Sequence, residues 1–179
     1  MLTYAAPKGF RQWAEVYVLY QKAFPKSEKK PFSMIRSMHK KGKTDVWRFE
    51  REGSFAGIII TINGKENILL DYLAVDEKQR GTGIGSEILQ LMHAHYAGKG
   101  VFLEIESVYE DCENKAERIR RKHFYEKCGL QSMEVFVWLF GVKMELMSFG
   151  CKMTFEDYHA FYRDNYNHWA ADHIQSAQR

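Results

Sequence analysis

The stretch Arg80-Gly81-Thr82-Gly83-Ile84-Gly85-Ser86 constrains the fold more than any other part of the chain. An apolar run, Ile68 to Val75, precedes it and reads as a buried strand. Behind it, Ile84, Ile88, Met92 and Tyr96 fall on one face of a helix, with Leu89 beside them. The order is therefore strand, glycine loop, helix. Glycine at every second position lets the backbone take positive φ and come close to a ligand. The first N–H groups of the following helix, at the positive end of its dipole, suit a phosphate. Arg80 adds a cation that can meet the same anion.

Two common phosphate loops do not fit. A Walker loop needs Gly-Lys followed by Ser or Thr after four intervening residues, and counting from Gly81 reaches Ser86. The dinucleotide fingerprint needs a third glycine where Ser86 stands, and it follows the first strand of its domain, whereas this loop follows at least the third. What remains is Arg-x-x-Gly-x-Gly, formed by Arg80, Gly83 and Gly85. This resembles the acyl-CoA-binding motif of the Gcn5-related N-acetyltransferases, the GNAT superfamily. A second match lies at Phe124-Tyr125-Glu126-Lys127-Cys128-Gly129-Leu130, which is similar to the aromatic-Tyr-Glu-Lys-x-Gly ending of that family's later helix. Arg118 and Arg121 stand where the family often has Asn and Ala.

The resemblance covers about residues 10 to 150 and implies a fold, a co-substrate and a site. The fold expected is α/β: a mixed, mostly antiparallel sheet whose central parallel pair splays to admit the pantetheine arm, flanked by helices. The co-substrate expected is acetyl-CoA, with no metal. Leu73, Ala74 and Val75 would lie along the pantetheine and offer a backbone N–H to the thioester carbonyl. Arg80, Gly81, Thr82, Gly83, Ile84, Gly85 and Ser86 would hold the pyrophosphate. Tyr125 would protonate the departing thiolate, and Gly129 would close its helix. Glu104 stands in a Leu-Glu-aliphatic strand pattern where some members that acetylate protein N-termini carry a catalytic Glu. It is the first candidate for the base, with Glu106 and Asp71 as rivals. His93, His95 and His123 read as surface histidines.

The rest of the chain agrees with such a domain. Helical spacing of Trp13, Val16, Tyr17, Tyr20 and Phe24 predicts a helix over 10–24, ended by Pro25. A short helix follows Pro31 and stops near Gly42. Strands are expected at Asp45 to Arg51, Ser54 to Ile62, Ile68 to Val75 and Val101 to Glu106, the second and third joined at Asn63-Gly64. The glycine-loop helix is then a crossover, which makes its two strands parallel. A long helix rich in Arg118, Arg120, Arg121 and Lys122 precedes Tyr125, and two more strands run over Glu134 to Phe140 and Val142 to Phe149. Thr154 and Asp157 cap a final helix over 154–169, which packs on the domain or on a second subunit as a homodimer.

We read residues 1–179 as one domain. With 26 basic and 23 acidic side chains the net charge is only +3, which gives no electrostatic footprint for nucleic acid. No apolar run has the length of a membrane span. Three scattered cysteines fit free thiols in a reducing cytoplasm better than a disulfide framework or a zinc cluster. The resemblance implies transfer of an acetyl group to an amine, on a small molecule or on a peptide or protein, towards which the acidic loop Glu110 to Glu113 could draw a cation; a non-catalytic acyl-CoA-binding sensor is the alternative.

Overall fold

The computed structural model describes the backbone of residues 1–179 and all their side chains but that of Ser27. Its first half runs β1 (Leu2–Ala5), α1 (Gly9–Ala23), α2 (Phe32–Lys40), β2 (Val46–Arg51), β3 (Ser54–Asn63), β4 (Asn67–Val75) and α3 (Ile84–His95). The second half runs β5 (Gly100–Glu106), α4 (Lys115–Lys127), β6 (Gln131–Leu139), β7 (Val142–Ser148), α5 (Phe155–Asn165), α6 (His168–Asp172) and β8 (Ile174–Ala177). The strands hydrogen-bond in the order β1-β2-β3-β4-β5-β7-β6-β8. The β4–β5 pair is parallel, whereas β1–β2, β2–β3, β5–β7, β6–β7 and β6–β8 are antiparallel. The expected mixed sheet with one parallel crossover is thus present. Chain contacts divide it into two compact units, Met1–Asn63 with Leu70–Met92, and Gly64–Leu69 with His93–Arg179.

In the first unit, residues at helical and alternating spacing meet in one core. Val16, Leu19 and Tyr20 of α1 and Ile35 of α2 pack against Ile58 and Ile60 of β3 and Tyr72 and Ala74 of β4. Helix α1 stops at Phe24, whose extended backbone (φ −121°, ψ 141°) is what the following Pro25 imposes. A buried Arg48 on β2 fastens α1 to the sheet by binding Glu15 through Nε and Nη2 at 2.8 and 2.6 Å. Gly57 in β3 is required by close approach: a Cβ there would lie 2.6 Å from the Ala74 carbonyl oxygen and 3.1 Å from Ile88 of α3. Its absence lets α3 and the end of β4 close on β3.

In the second unit, β5 pairs with β7 from Phe102↔Ser148 to Glu106↔Met144. Strand alternation gives its two faces different tasks. On one face the Phe102 ring meets Phe161 of α5 at 5.2 Å. On the other, Glu145 of β7 is completely buried and accepts from Lys122 Nζ of α4 at 2.7 and 2.8 Å. Helix α5 begins with the expected box, in which the Asp157 N–H donates to Thr154 Oγ1 and the Thr154 N–H to Asp157 Oδ2.

The single helix expected over 154–169 is instead two. Asn167 caps α6 by accepting from the Ala170 N–H at 2.6 Å, so the chain turns before Trp169 and then adds β8 to the edge of β6. Strands β1 and β8, with only four residues each, carry too little alternation to be read from sequence.

The Lys122–Glu145 pair yields a stability prediction. Glu145→Ala leaves a lysine ammonium buried without its carboxylate and should cost ~3–5 kcal/mol in chemical denaturation. The double variant Glu145→Leu/Lys122→Met should regain most of that loss, because two apolar groups replace two charges.

Candidate active site

The glycine loop forms at the junction of β4 and α3. Asp76 ends the strand, and its carboxylate accepts from the Lys78 N–H at 3.0 Å, fixing a 3-10 turn over Glu77–Gln79. Thr82 Oγ1 then donates to the Gln79 carbonyl at 2.7 Å, and Arg80 Nε donates to the Val75 carbonyl at 3.3 Å. Gly81 and Gly83 take φ of +75° and +83°, the left-handed region that side chains disfavour. Neither has a heavy atom within 4 Å of where a Cβ would stand, so the loop is open above both. The first intrahelical bond at this end runs from the Glu87 N–H to the Gly83 carbonyl at 3.1 Å, and Ile84–Ser86 form the N-terminal turn. An anion facing this turn would meet backbone N–H groups, the helix dipole and Arg80, so these residues fit a phosphate-bearing ligand. Upstream, Leu73 and Val75 are half-buried and alternate with the buried Tyr72 and Ala74, so they lie on the opposite face of β4 from the core.

The second unit holds the remaining candidates. Glu104 Oε1 accepts from two phenols of α5, Tyr158 at 2.6 Å and Tyr162 at 2.8 Å. Glu106 faces two cations instead: Arg118 Nη2 lies 2.7 Å from Oε1, and Arg121 Nη1 lies 3.3 Å from Oε2. Arg118 also donates to the Ser107 carbonyl and to Asn114 Oδ1, so it ties the start of α4 to the end of β5. Arg120 lies exposed, 3.9 Å from Glu117.

Tyr125 stands in the last turn of α4. The Leu130 N–H bonds to its carbonyl at 3.1 Å and the Gly129 N–H to that of Glu126 at 3.0 Å, a Schellman pair made possible by Gly129 at φ +96°. Burial pushes the Tyr125 hydroxyl up to about 12, against the pull of the Arg121 guanidinium. A raised phenol keeps its proton at every pH below that value, as a proton donor must. His93 stacks on Phe149 with ring centroids 4.2 Å apart, which gives it a packing role. In the acidic loop Glu110 is already paired with Lys143 at 2.8 Å.

Four residues near these groups carry no motif in the sequence: Tyr158, Tyr162, Lys30 and Gly57. Tyr158 and Tyr162 sit at core spacing on their helix, and only their hydroxyl partners distinguish them. Lys30 lies in a charged loop, yet its Nζ reaches Asp71 of β4 at 2.7 and 2.5 Å. Gly57 is an isolated glycine inside a strand pattern, which signals close backbone approach but does not say to what. No group of three His, Cys, Asp or Glu that could hold a metal occurs among the described residues. No helix among them is long and apolar enough to cross a membrane.

Comparison with known proteins points one way. The family model described as the acetyltransferase (GNAT) domain matches residues 42–131. A structure described as an acetyltransferase of the GNAT family from Bacteroides thetaiotaomicron superposes with a TM-score of 0.76 at 16% identity, covering 96% of this chain and 98% of its own. The ribosomal-protein-S18-alanine N-acetyltransferase of Escherichia coli gives 0.62 at 18% identity, with 88% and 98% covered. An aminoglycoside 6'-N-acetyltransferase complexed with coenzyme A gives 0.63 at 16% identity, with 86% and 99% covered. None of the curated proteins matches the chain in sequence.

The clamp on Glu104 can be tested directly. Tyr158→Phe keeps the ring but removes the 2.6 Å donor and should cost ~1.5–3 kcal/mol, the range for a bond to a charged acceptor, measured by urea unfolding.

Proposed function

The chain belongs to the GNAT acetyltransferase family, and from that premise we propose that it transfers the acetyl group of acetyl-CoA to a primary amine by direct attack. One observation carries the cofactor half of this reading: two left-handed glycines, open above, at the N-terminus of α3. In this reading Gly81–Ser86 and Arg80 hold the pyrophosphate, and Leu73–Val75 receive the pantetheine and give a backbone N–H to the thioester carbonyl oxygen. Acetyl-CoA supplies an acyl carbon activated by its thioester. The chain supplies orientation, charge stabilisation and two proton transfers, and residues 1–179 act together as one domain in doing so.

An amine attacks only when neutral, so a group must take its proton. Three carboxylates compete for that task. Asp71 and Glu106 each already hold a cation of this chain at ion-pair distance, Lys30 and Arg118 respectively, so neither is presented to an outside amine. Glu104 accepts from two phenols, which fix the direction of its carboxylate. It is the favoured base. Tyr125, with its proton retained up to about pH 12, gives that proton to the departing sulfur.

The acceptor is a primary amine on a small molecule or on a peptide or protein. The solved relatives named for ribosomal-protein alanine, aminoglycoside and spermidine acetylation span both kinds. The free thiols Cys112, Cys128 and Cys151 suit a reducing cytoplasm as the setting.

Thiol release from acetyl-CoA in the presence of a panel of amines tests the activity. Calorimetry tests the loop. Gly83→Glu puts a carboxylate into the phosphate site and should abolish acetyl-CoA binding with the fold intact by circular dichroism. Undiminished affinity in that variant would remove the loop from the reading.

Tyr125→Phe examines the acid. The ring stays and only the proton goes, so kcat should fall ~10²-fold or more with acetyl-CoA affinity nearly unchanged. Because the phenol's pKa is raised, its ionisation should contribute no loss of rate across neutral and moderately alkaline pH. A fall of less than tenfold with a good acceptor would mean that the thiolate leaves without this proton.

A further inference from the structure

We propose that Lys30 is an internal acceptor: Asp71 holds its amine beside the strand that takes the acetyl thioester, Lys30 becomes acetylated there, and the acetyl group unlatches the segment between α1 and α2. This rests on the acetyl-CoA reading above. Lys30 Nζ lies 2.7 and 2.5 Å from the two oxygens of Asp71, whose side chain is 8% exposed. Asp71 is two residues before Leu73 on β4. Side chains two apart on a strand point the same way, so the carboxylate that holds the amine stands ~7 Å from Leu73, beside the stretch of β4 to which that reading assigns the pantetheine.

The lysine is presented by a fixed backbone. Tyr20 Oη donates to the Lys30 carbonyl at 3.0 Å, the Lys30 N–H donates to Tyr72 Oη at 3.2 Å, and Tyr72 Oη donates to the Glu28 carbonyl at 2.8 Å. Burial raises both phenols, so each keeps the proton that these bonds use. The Tyr72 ring lies 5.2 Å from Nζ and walls the amine on one side. A structural ion pair on the surface needs none of this. Here an alkylammonium is pinned against a buried carboxylate on the strand assigned to the thioester.

The chemistry balances without a further reactant. The Lys30 ammonium passes one proton to Asp71 and becomes a neutral amine. Its lone pair forms the N–C bond to the thioester carbonyl carbon, and the C–S pair leaves on sulfur. Of the two protons that remain on nitrogen, one stays on the amide. The other goes to the thiolate, and Asp71 returns its own proton to solvent. The product is a neutral acetyl-lysine opposite a carboxylate that has lost its cation in a buried place, an arrangement that disfavours the closed loop.

The test uses the purified full chain, isotopically labelled acetyl-CoA and peptide mass mapping. Label should accumulate at Lys30 towards one per chain, at a rate independent of protein concentration, as an intramolecular step requires. Excess free CoA should suppress it. Asp71→Asn should slow it ~10²-fold or more. Should that variant not fold, the concentration dependence and the CoA competition decide alone. The acetylated chain should also melt below the unlabelled one. Lys30 left unlabelled while calorimetry shows acetyl-CoA bound overturns this proposal and leaves the acetyltransferase reading standing. So does label spread over exposed lysines and indifferent to CoA. Absence of acetyl-CoA binding removes both.

Discussion

Backbone hydrogen bonding along β4 is the constraint on which the rest depends. One edge of this strand is committed to β3, and Gly57 lets that contact close against the Ala74 carbonyl. The parallel register on its other edge runs from Asn67↔Gly100 to Leu69↔Phe102. Beyond Leu69, β4 continues along β3 to Val75, while β5 continues along β7 to Glu106. A strand buried on its faces must find partners for its N–H and C=O groups. In the reading proposed here, the amides of pantetheine serve Leu73–Val75. The glycine loop follows the 3-10 turn over Glu77–Gln79 and brings the chain from the end of that strand into α3.

Charge is distributed by the same economy of partners. Three carboxylates on β4, β5 and β7 each have a basic partner: Asp71 with Lys30, Glu106 with Arg118 and Arg121, and Glu145 with Lys122. The arginine-rich helix, which looks in sequence like a solvated or phosphate-binding face, is thereby largely spent on its own sheet. Arg120 alone of the three arginines lies away from the strands. Glu104 also accepts from the two phenols of α5. The candidates for the base, which the sequence ranks only through a family strand pattern, also differ in the groups that meet them.

Much of the fold was legible because it rests on local signals. Pro25, Asn63-Gly64, the glycine loop, Gly129 and the Thr154–Asp157 box each mark a boundary through backbone geometry, and the structure places element ends within a residue or two of them. The division of the tail into α5, α6 and β8 was not legible, because Asn167 acts as a cap only once the chain has turned. The glycine loop proposed to hold the cofactor was legible for the same local reason as the boundaries. The partners of Glu104, Glu106 and Asp71 were not, since they arise from contacts between residues far apart in the chain. Lys30 and Asp71 stand 41 positions apart, and nothing in either neighbourhood announces the other.

The clamp on Glu104 sets an order of events during synthesis. Its donors come 54 and 58 residues later in the chain. A polypeptide emerging from its N-terminus presents β5 and α4, with Tyr125 already in its capped turn, well before α5 exists. Until α5 docks on Phe102, the carboxylate lacks the two hydroxyls that fix its direction. Closing so long a loop is a late, non-local step. The nascent chain therefore acquires its glycine loop early and its oriented Glu104 near the end, and a chain truncated before Tyr158 would carry the first without the second.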